Sequence, residues 1–385
     1  MSIDAAHEPN DGMPPLDPGP ACMSRFEFMH PLDPSTACMS LYEYMHPVLF
    51  YAPVMLYAAG LMIKHRSVTL PALANPAIFA GGAVGERKSD VFALAGPYAQ
   101  QFIAKNCAID LQETSGPLLD MCLEAMRQAN VQFPIVAKPD TGLRGAGVRP
   151  VEDIEQLKTY LTQFPTDQTV MLQEKADYPG EAGVFYIRYP NETRGRIFSL
   201  TLKYTATVKG DGKRTLEELI DECPRCKRME VVYKTRHQRQ LKTVIPIGET
   251  FPLNFAGNHA RGAIFRNGHG HITEPMLDAF DRIAKDIKDL HFTRFDVRFK
   301  SLDDLKAGRD FKIVEVNGVG AEATHIWDCQ MELLEAYRTL AAQWRHAFSI
   351  GAANRRREHR LPPVMKIFKI WLSELMRADN YPLAS

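Results

Sequence analysis

The sequence predicts an α+β chain, and three features predict it. Residues 291–299 and 311–317 each alternate with the two-residue period of a strand. Residues 133–148 read as a short apolar strand running into a glycine-rich loop. Stretches of helical period lie between such strands, the clearest being 275–290, with Met276, Phe280, Ile283 and Ile287 on one face.

In 291–299, Thr293, Phe295, Val297 and Phe299 face one way, while Arg294, Asp296 and Arg298 face the other. In 311–317, Val314 and Val316 take one face, and Glu315 and Asn317 the opposite one. The polar stretch 300–310 can join the two as antiparallel neighbours. Asp296, Glu315 and Asn317 then meet on one face of a sheet. Two carboxylates and an amide oxygen form a hard, all-oxygen set, which suits Mg²⁺ that is also held by a nucleotide's phosphates.

Bulk composition narrows the class. A chain of 385 residues with 45% hydrophobic content supports two or three domains with a sizeable core. Lys+Arg and Asp+Glu balance at 46 each, so no global field favours a nucleic-acid partner. Seven scattered cysteines argue for reduced thiols and a cytoplasmic setting. Cys223 and Cys226 have the spacing of half a zinc site, but no second pair follows.

Taken in order, 1–66 is an appendage. Residues 15–30 and 31–46 are a tandem duplication of a Pro-rich segment, too little to build a core. Residues 47–63 carry no charge and are followed by Lys64-His65-Arg66. A spanning helix needs about 20 apolar residues, so this run is read either as a span or as an interfacial or buried helix. The region 67–131 is small. It holds a glycine turn at 81–85, which is either an anion site or a plain turn, then helices over 90–105 and 117–130.

From 132 the pattern sharpens into a domain reaching 350. The strand 133–139 delivers Lys138, and glycines at 142, 145 and 147 follow, with Arg144 among them. Such a loop lets backbone N–H groups approach phosphate oxygens. A helix is expected over 150–164, a strand over 169–174, paired strands over 184–188 and 196–207 with Lys203 on the second, and a closing helix over 329–348. Glu174, Lys175 and Glu181 sit where a hinge could meet a base and a ribose. The tail, 351–385, combines the basic run 355–360 with a basic, aromatic-rich helix from Val364, of a kind that can lie on an anionic membrane surface or pack onto the domain.

In chain order these parts resemble the ATP-grasp superfamily of carboxylate–amine ligases, from about 132 to about 348. By pattern the nearest members are D-alanine–D-alanine ligases, and Gly210-Asp-Gly-Lys-Arg-Thr215 is similar to a run in cyanophycin-synthetase-like members. The resemblance implies two α+β subdomains clasping ATP. It implies Lys138, Gly142, Arg144, Gly145 and Gly147 on the phosphates, Glu174, Lys175 and Glu181 on adenosine, and Asp296, Glu315 and Asn317 on one or two Mg²⁺ ions. It further implies catalytic roles for Arg294 and Lys203, with Lys88 as an earlier nucleotide lysine. The expected activity is ATP-dependent joining of a small-molecule carboxylate to an amine through an acyl phosphate. The alternatives are an ATP-grasp phosphotransferase, or a membrane-associated scaffold with a vestigial ATP site. The expected location is cytoplasmic, with the cytoplasmic face of a membrane as a candidate contact. The leader and tail have no counterpart in D-alanine–D-alanine ligases, so the pattern does not fix the substrates.

Overall fold

The computed structural model describes residues 39–40, 42–112, 117–141, 145–254, 257 and 262–377. Every described residue belongs to one compact unit, 33–385. Gly142, Arg144 and the first copy of the duplication lie outside the described residues, whereas 39–40 and 42–46 of the second copy are described.

Helix α1, Pro47–His65, begins with a proline where the missing N–H costs nothing. Phe50, Val54, Ala58 and Leu61 recur on its buried face. Leu56 and Ile63 on the other face are 75% and 79% exposed. Among the described residues α1 is the one helix long and apolar enough to cross a membrane. Its buried face packs on the long C-terminal helix through Phe50, whose ring lies 5.6 Å from that of Tyr337.

The helix expected over 90–105 is broken in two: α2, Lys88–Ala93, and α3, Pro97–Gln100. Pro97 cannot continue a helix but can start one. The new start is capped from a distance, since the Asp286 carboxylate accepts from the Tyr98 and Ala99 N–H groups at 2.9 and 2.8 Å.

The first subdomain follows: β1 (Asn106–Asp110), α4 (Leu118–Gln128), β2 (Ile135–Pro139), β3 (Arg149–Val151), α5 (Ile154–Gln163) and β4 (Thr169–Glu174). Its antiparallel sheet has the order β1-β4-β2-β3, covered by a core that includes Met126, Ile135, Leu157, Tyr160 and Leu172. Residues N-terminal to 132 thus join this sheet through β1 and α4. The helix expected from 150 begins later, because Asp153 caps it by accepting from Gln156 N–H. That leaves 149–151 as an edge strand, where Pro150 is tolerated.

The second subdomain contains β5 (Gly180–Ile187), β6 (Arg196–Tyr204), β7 (Thr207–Lys209), α6 (Leu216–Glu222), α7 (Pro224–Arg228), α8 (Glu230–Arg236), β8 (Thr250–Pro252), β9 (Ile264–Asn267), α9 (Glu274–Lys285), β10 (Phe292–Phe299), α10 (Leu302–Lys306), β11 (Phe311–Asn317) and α11 (Leu333–Arg356). Its five-stranded antiparallel sheet runs β11-β10-β5-β6-β9. Met276, Phe280 and Ile283 of α9 pack on Val184, Leu200, Phe295 and Val297 and fill the back of this sheet. On its front, Phe185, Ile187 and Phe292 pack with Ala347 and Ile350 at one end and leave the end with Asp296, Lys203 and Glu181 polar. The β7–β8 ribbon and α6–α8 form a satellite around Leu219, Cys226 and Tyr233. Thr215 and Glu218 begin α6 with a reciprocal capping box. Helix α12, Val364–Arg377, ends the described chain. Cys107, Cys122, Cys223 and Cys226 are outside any disulfide, as expected, whereas Cys329 is disulfide-bonded.

Candidate active site

The two strands that dominate the sequence pattern do pair, antiparallel, with Asp296 opposite Glu315 and Arg294 opposite Asn317. One detail differs from a plain two-residue period. The register shifts so that Val297 faces Ile313, leaving Val314 as the extra residue of a bulge. Ile313 and Val316, not Val314 and Val316, therefore reach the core. The bulge turns the Val314 carbonyl outward, and it accepts a hydrogen bond from Lys138 Nζ at 3.0 Å. Lys138 is carried by β2 of the other sheet, so one buried ammonium links the two subdomains at the site.

Asp296 lies under a set of cations. Arg294 grips it with Nε and Nη2, at 2.8 and 3.0 Å from its two oxygens, and Lys203 Nζ stands 3.1 Å away. Burial pushes its carboxyl up, but Arg294 and Lys203 outweigh burial and hold it below the usual carboxylate range. Asn317 Nδ2 donates to Asp296 at 3.3 Å. Glu315 meets Lys88 Nζ at 3.4 Å. Burial raises the Glu315 carboxyl, yet Lys88 and then Lys138 bring it down overall. Lys138 also donates to Gln173 Oε1 at 2.7 Å, and burial lowers its pKa to about 8 against the pull of Glu315.

The site extends along the front of the sheet. Glu181 on β5 takes Arg298 at 3.0 Å and Lys203 at 3.4 Å. Glu174 and Lys175 lie where the chain leaves the first sheet for the second. Their N–H groups go to the Lys105 and Pro134 carbonyls, and the Lys175 ammonium pairs with Glu152 at 2.7 Å. Gly145 and Gly147 both have positive φ, 74° and 69°, as a glycine loop requires. Tyr160 OH donates to the Gly147 carbonyl at 2.8 Å and ties the end of the loop to α5.

Two carboxyl groups here carry no local sequence signal. Asp140, fully buried at the end of β2, accepts from the Ser89 N–H and Oγ at 2.8 and 2.6 Å and pairs with Arg87 at 3.0 Å. It anchors the turn that brings Lys88 to Glu315. The second is Glu86. Val319 and Gly320 N–H donate to the Gly81 and Gly82 carbonyls at 2.9 and 3.0 Å, stitching that turn to the segment after Asn317. Gly82, at φ 81°, is obligatory because a Cβ there would lie 2.6 Å from the Gly318 Cα. The glycine turn therefore presents a carboxyl, Glu86, toward Gly318. Glu86 Oε2 accepts from Gly318 N–H at 3.2 Å, while buried Oε1 has no partner. Burial pushes the group up to about 8, with the Gly318 N–H opposing.

Asp296, Glu315 and Asn317 fit a hard divalent cation by chemistry. Among the described residues no three His, Cys, Asp or Glu side chains gather as a metal cage. Two sheet subdomains, joined by the buried Lys138, complete the two-subdomain arrangement that the resemblance implies. The fold is ATP-grasp-like.

No protein-family model matches the sequence, and no curated protein sequence matches it. Solved structures do. One is a bifunctional glutathione synthetase from Pasteurella multocida, with TM-score 0.36 and 13% identity, covering 66% of this chain and 36% of that one. Another is the VanG D-Ala:D-Ser ligase from Enterococcus faecalis, with TM-score 0.38 and 11% identity, covering 72% and 64%. A third is the D-alanine–D-alanine ligase from Bacillus anthracis, with TM-score 0.38 and 13% identity, covering 72% of each chain. The chain thus spans about a third of the length of the first and just under two thirds of the second.

Proposed function

We propose that this chain is an ATP- and Mg²⁺-dependent ligase that joins a carboxylate to an amine through an acyl phosphate. One observation carries the reading. Lys138 from one sheet meets the Val314 carbonyl, beside Glu315, from the other, so a phosphate-binding lysine and the metal-type carboxylates share one cleft.

Asp296, Glu315 and Asn317 would hold the Mg²⁺, which supplies charge neutralisation to the β- and γ-phosphates. Lys138 and Lys203 offset phosphate charge, and Arg294 stabilises the transferring group beside Asp296. Gly145 and Gly147 belong to the loop that covers the phosphates and keeps water from the acyl phosphate. The attacking amine reaches the site as an ammonium, and Glu86, whose buried Oε1 has no partner, could pair with it only on ionising. The substrate carboxylate oxygen attacks the γ-phosphorus and ADP leaves; the ammonium then gives one proton to solvent, its nitrogen attacks the acyl carbon, and inorganic phosphate leaves with the second amine proton.

The test is Mg·ATP-dependent phosphate release across pairs of small acids and amines, with the product identified by mass. An amide product supports the ligase. A stable phosphorylated product in place of an amide refutes it in favour of a phosphotransferase.

A further inference from the structure

Helix α12 stands outside every role assigned above. Val364, Met365, Phe368, Trp371 and Leu372 fall on one stripe of it and are 40–64% exposed. Its opposite face is already occupied. Ile370 packs against Gly85, where a Cβ would come within 2.9 Å of its Cγ2, and Glu374 accepts from Gly85 N–H at 2.8 Å. Lys369 is exposed beside the stripe, and Lys366, also exposed, holds its ammonium 5.1 Å over the Phe79 ring.

The charge around this stripe is one-sided. From 355 to 374 the chain carries six Lys or Arg and two Glu, in a protein whose charges otherwise balance. Glu374 is turned inward to Gly85, which leaves the outward surface more positive still. A second copy of this helix would bring like charge against like. A bilayer containing anionic lipid offers an acyl boundary for Phe368 and Trp371 and phosphates for the lysines.

We propose that α12 docks on an anionic lipid surface through the Val364, Met365, Phe368, Trp371 and Leu372 stripe. Docking uses only the exposed face, so the Ile370 and Glu374 contacts to Gly85 persist. The turn that carries Glu86 then lies about one helix diameter, roughly 10 Å, from the lipid.

The test is flotation of the full chain with vesicles of phosphatidylcholine alone, or of phosphatidylcholine mixed with phosphatidylglycerol. The expected result is binding to the mixed vesicles more than about tenfold tighter than to the neutral ones, weakened by salt. The double variant F368E/W371E changes two exposed side chains and should lose that binding while keeping its circular dichroism. Unchanged binding by the variant overturns the proposal and moves the contact elsewhere, to α1 or the basic run. Absence of binding to mixed vesicles overturns it too. So does a wild-type dimer that the variant converts to monomer, which would make the stripe a contact between copies.

Discussion

Asp296 and Glu315 stand directly opposite each other across the β10–β11 pair, two carboxylates in one register position. Such a pair repels unless cations separate it. Here Arg294 and Lys203 serve Asp296, and Lys88 serves Glu315. Mg²⁺ bound with a polyphosphate would meet these same groups. The lysines would turn to the phosphates and the carboxylates to the metal, which keeps the cleft near neutrality with and without nucleotide.

Replacing Asp296 by Asn removes the charge without changing the shape. ADP formation is expected to fall at least a hundredfold, about 2.7 kcal/mol or more in the barrier. The change also leaves Arg294 and Lys203 buried against a neutral amide, so the melting temperature should drop although the chain still folds. Circular dichroism and ADP release measured on the same preparation separate the two effects. Normal turnover with Asn at 296 would remove the metal assignment.

Lys138 tests the nucleotide side of the cleft. Its ammonium is buried, and burial lowers its pKa to about 8. Lys138→Met leaves the Gln173 and Val314 carbonyl oxygens without this donor and Glu315 with one fewer cation, so the melting temperature should fall. ATP affinity should fall by tenfold or more. In the wild type, Mg·ATP at a hundred times its Kd is worth about 2.7 kcal/mol of thermal stabilisation. A methionine variant stabilised by Mg·ATP as strongly as the wild type would show that Lys138 does not touch the nucleotide. A wild type that gains nothing from Mg·ATP would favour the scaffold reading.

The legible parts of this chain are those in which one short segment carries the whole signal. Asp296, Glu315 and Asn317 come from two strands with clean alternation, and the polar stretch between them left room for only one pairing. The amphipathic helix α9 was equally plain, because its apolar face matches the back of the sheet. The bulge at Val314 was hidden, since a two-residue pattern extrapolates straight through it. Glu86 and Asp140 were hidden for a different reason. A carboxyl in a turn looks solvated until the fold places Gly318 or Ser89 against it. Strand β1 was missed because its five residues, Asn106–Asp110, carry too little period to stand out.

The buried pair of Glu43 with Arg225 ties the residues before α1 to α7. The guanidinium reaches both carboxylate oxygens at 2.5 and 3.2 Å, and the side chains are 0% and 5% exposed. Glu43→Ala leaves Arg225 buried with that partner gone and is expected to cost about 3–5 kcal/mol. A double variant, Glu43→Ala with Arg225→Met, should recover most of the loss. Chemical denaturation of the three proteins measures it. If the single change costs less than about 1 kcal/mol, the segment before α1 is not held by this pair.

Glu86 gives the site a pH dependence whose sign follows from its shift. Its folded pKa, about 8, lies above its ordinary value of 4.5, so the folded state binds the proton more tightly than the unfolded state. The stabilisation this provides is complete below 4.5 and is lost as pH rises through about 8. Glu86→Gln keeps a neutral group of the same shape, with no proton to lose. The variant and wild type should therefore have similar stability near pH 5, with the variant the more stable by several kcal/mol near pH 9. Melting curves recorded across that range test it. If the wild type and variant curves run parallel, Glu86 is not held protonated by burial, and its free oxygen is satisfied in solution. An ammonium substrate adds a second reading: it should favour the ionised carboxylate and lower the midpoint in the wild type alone.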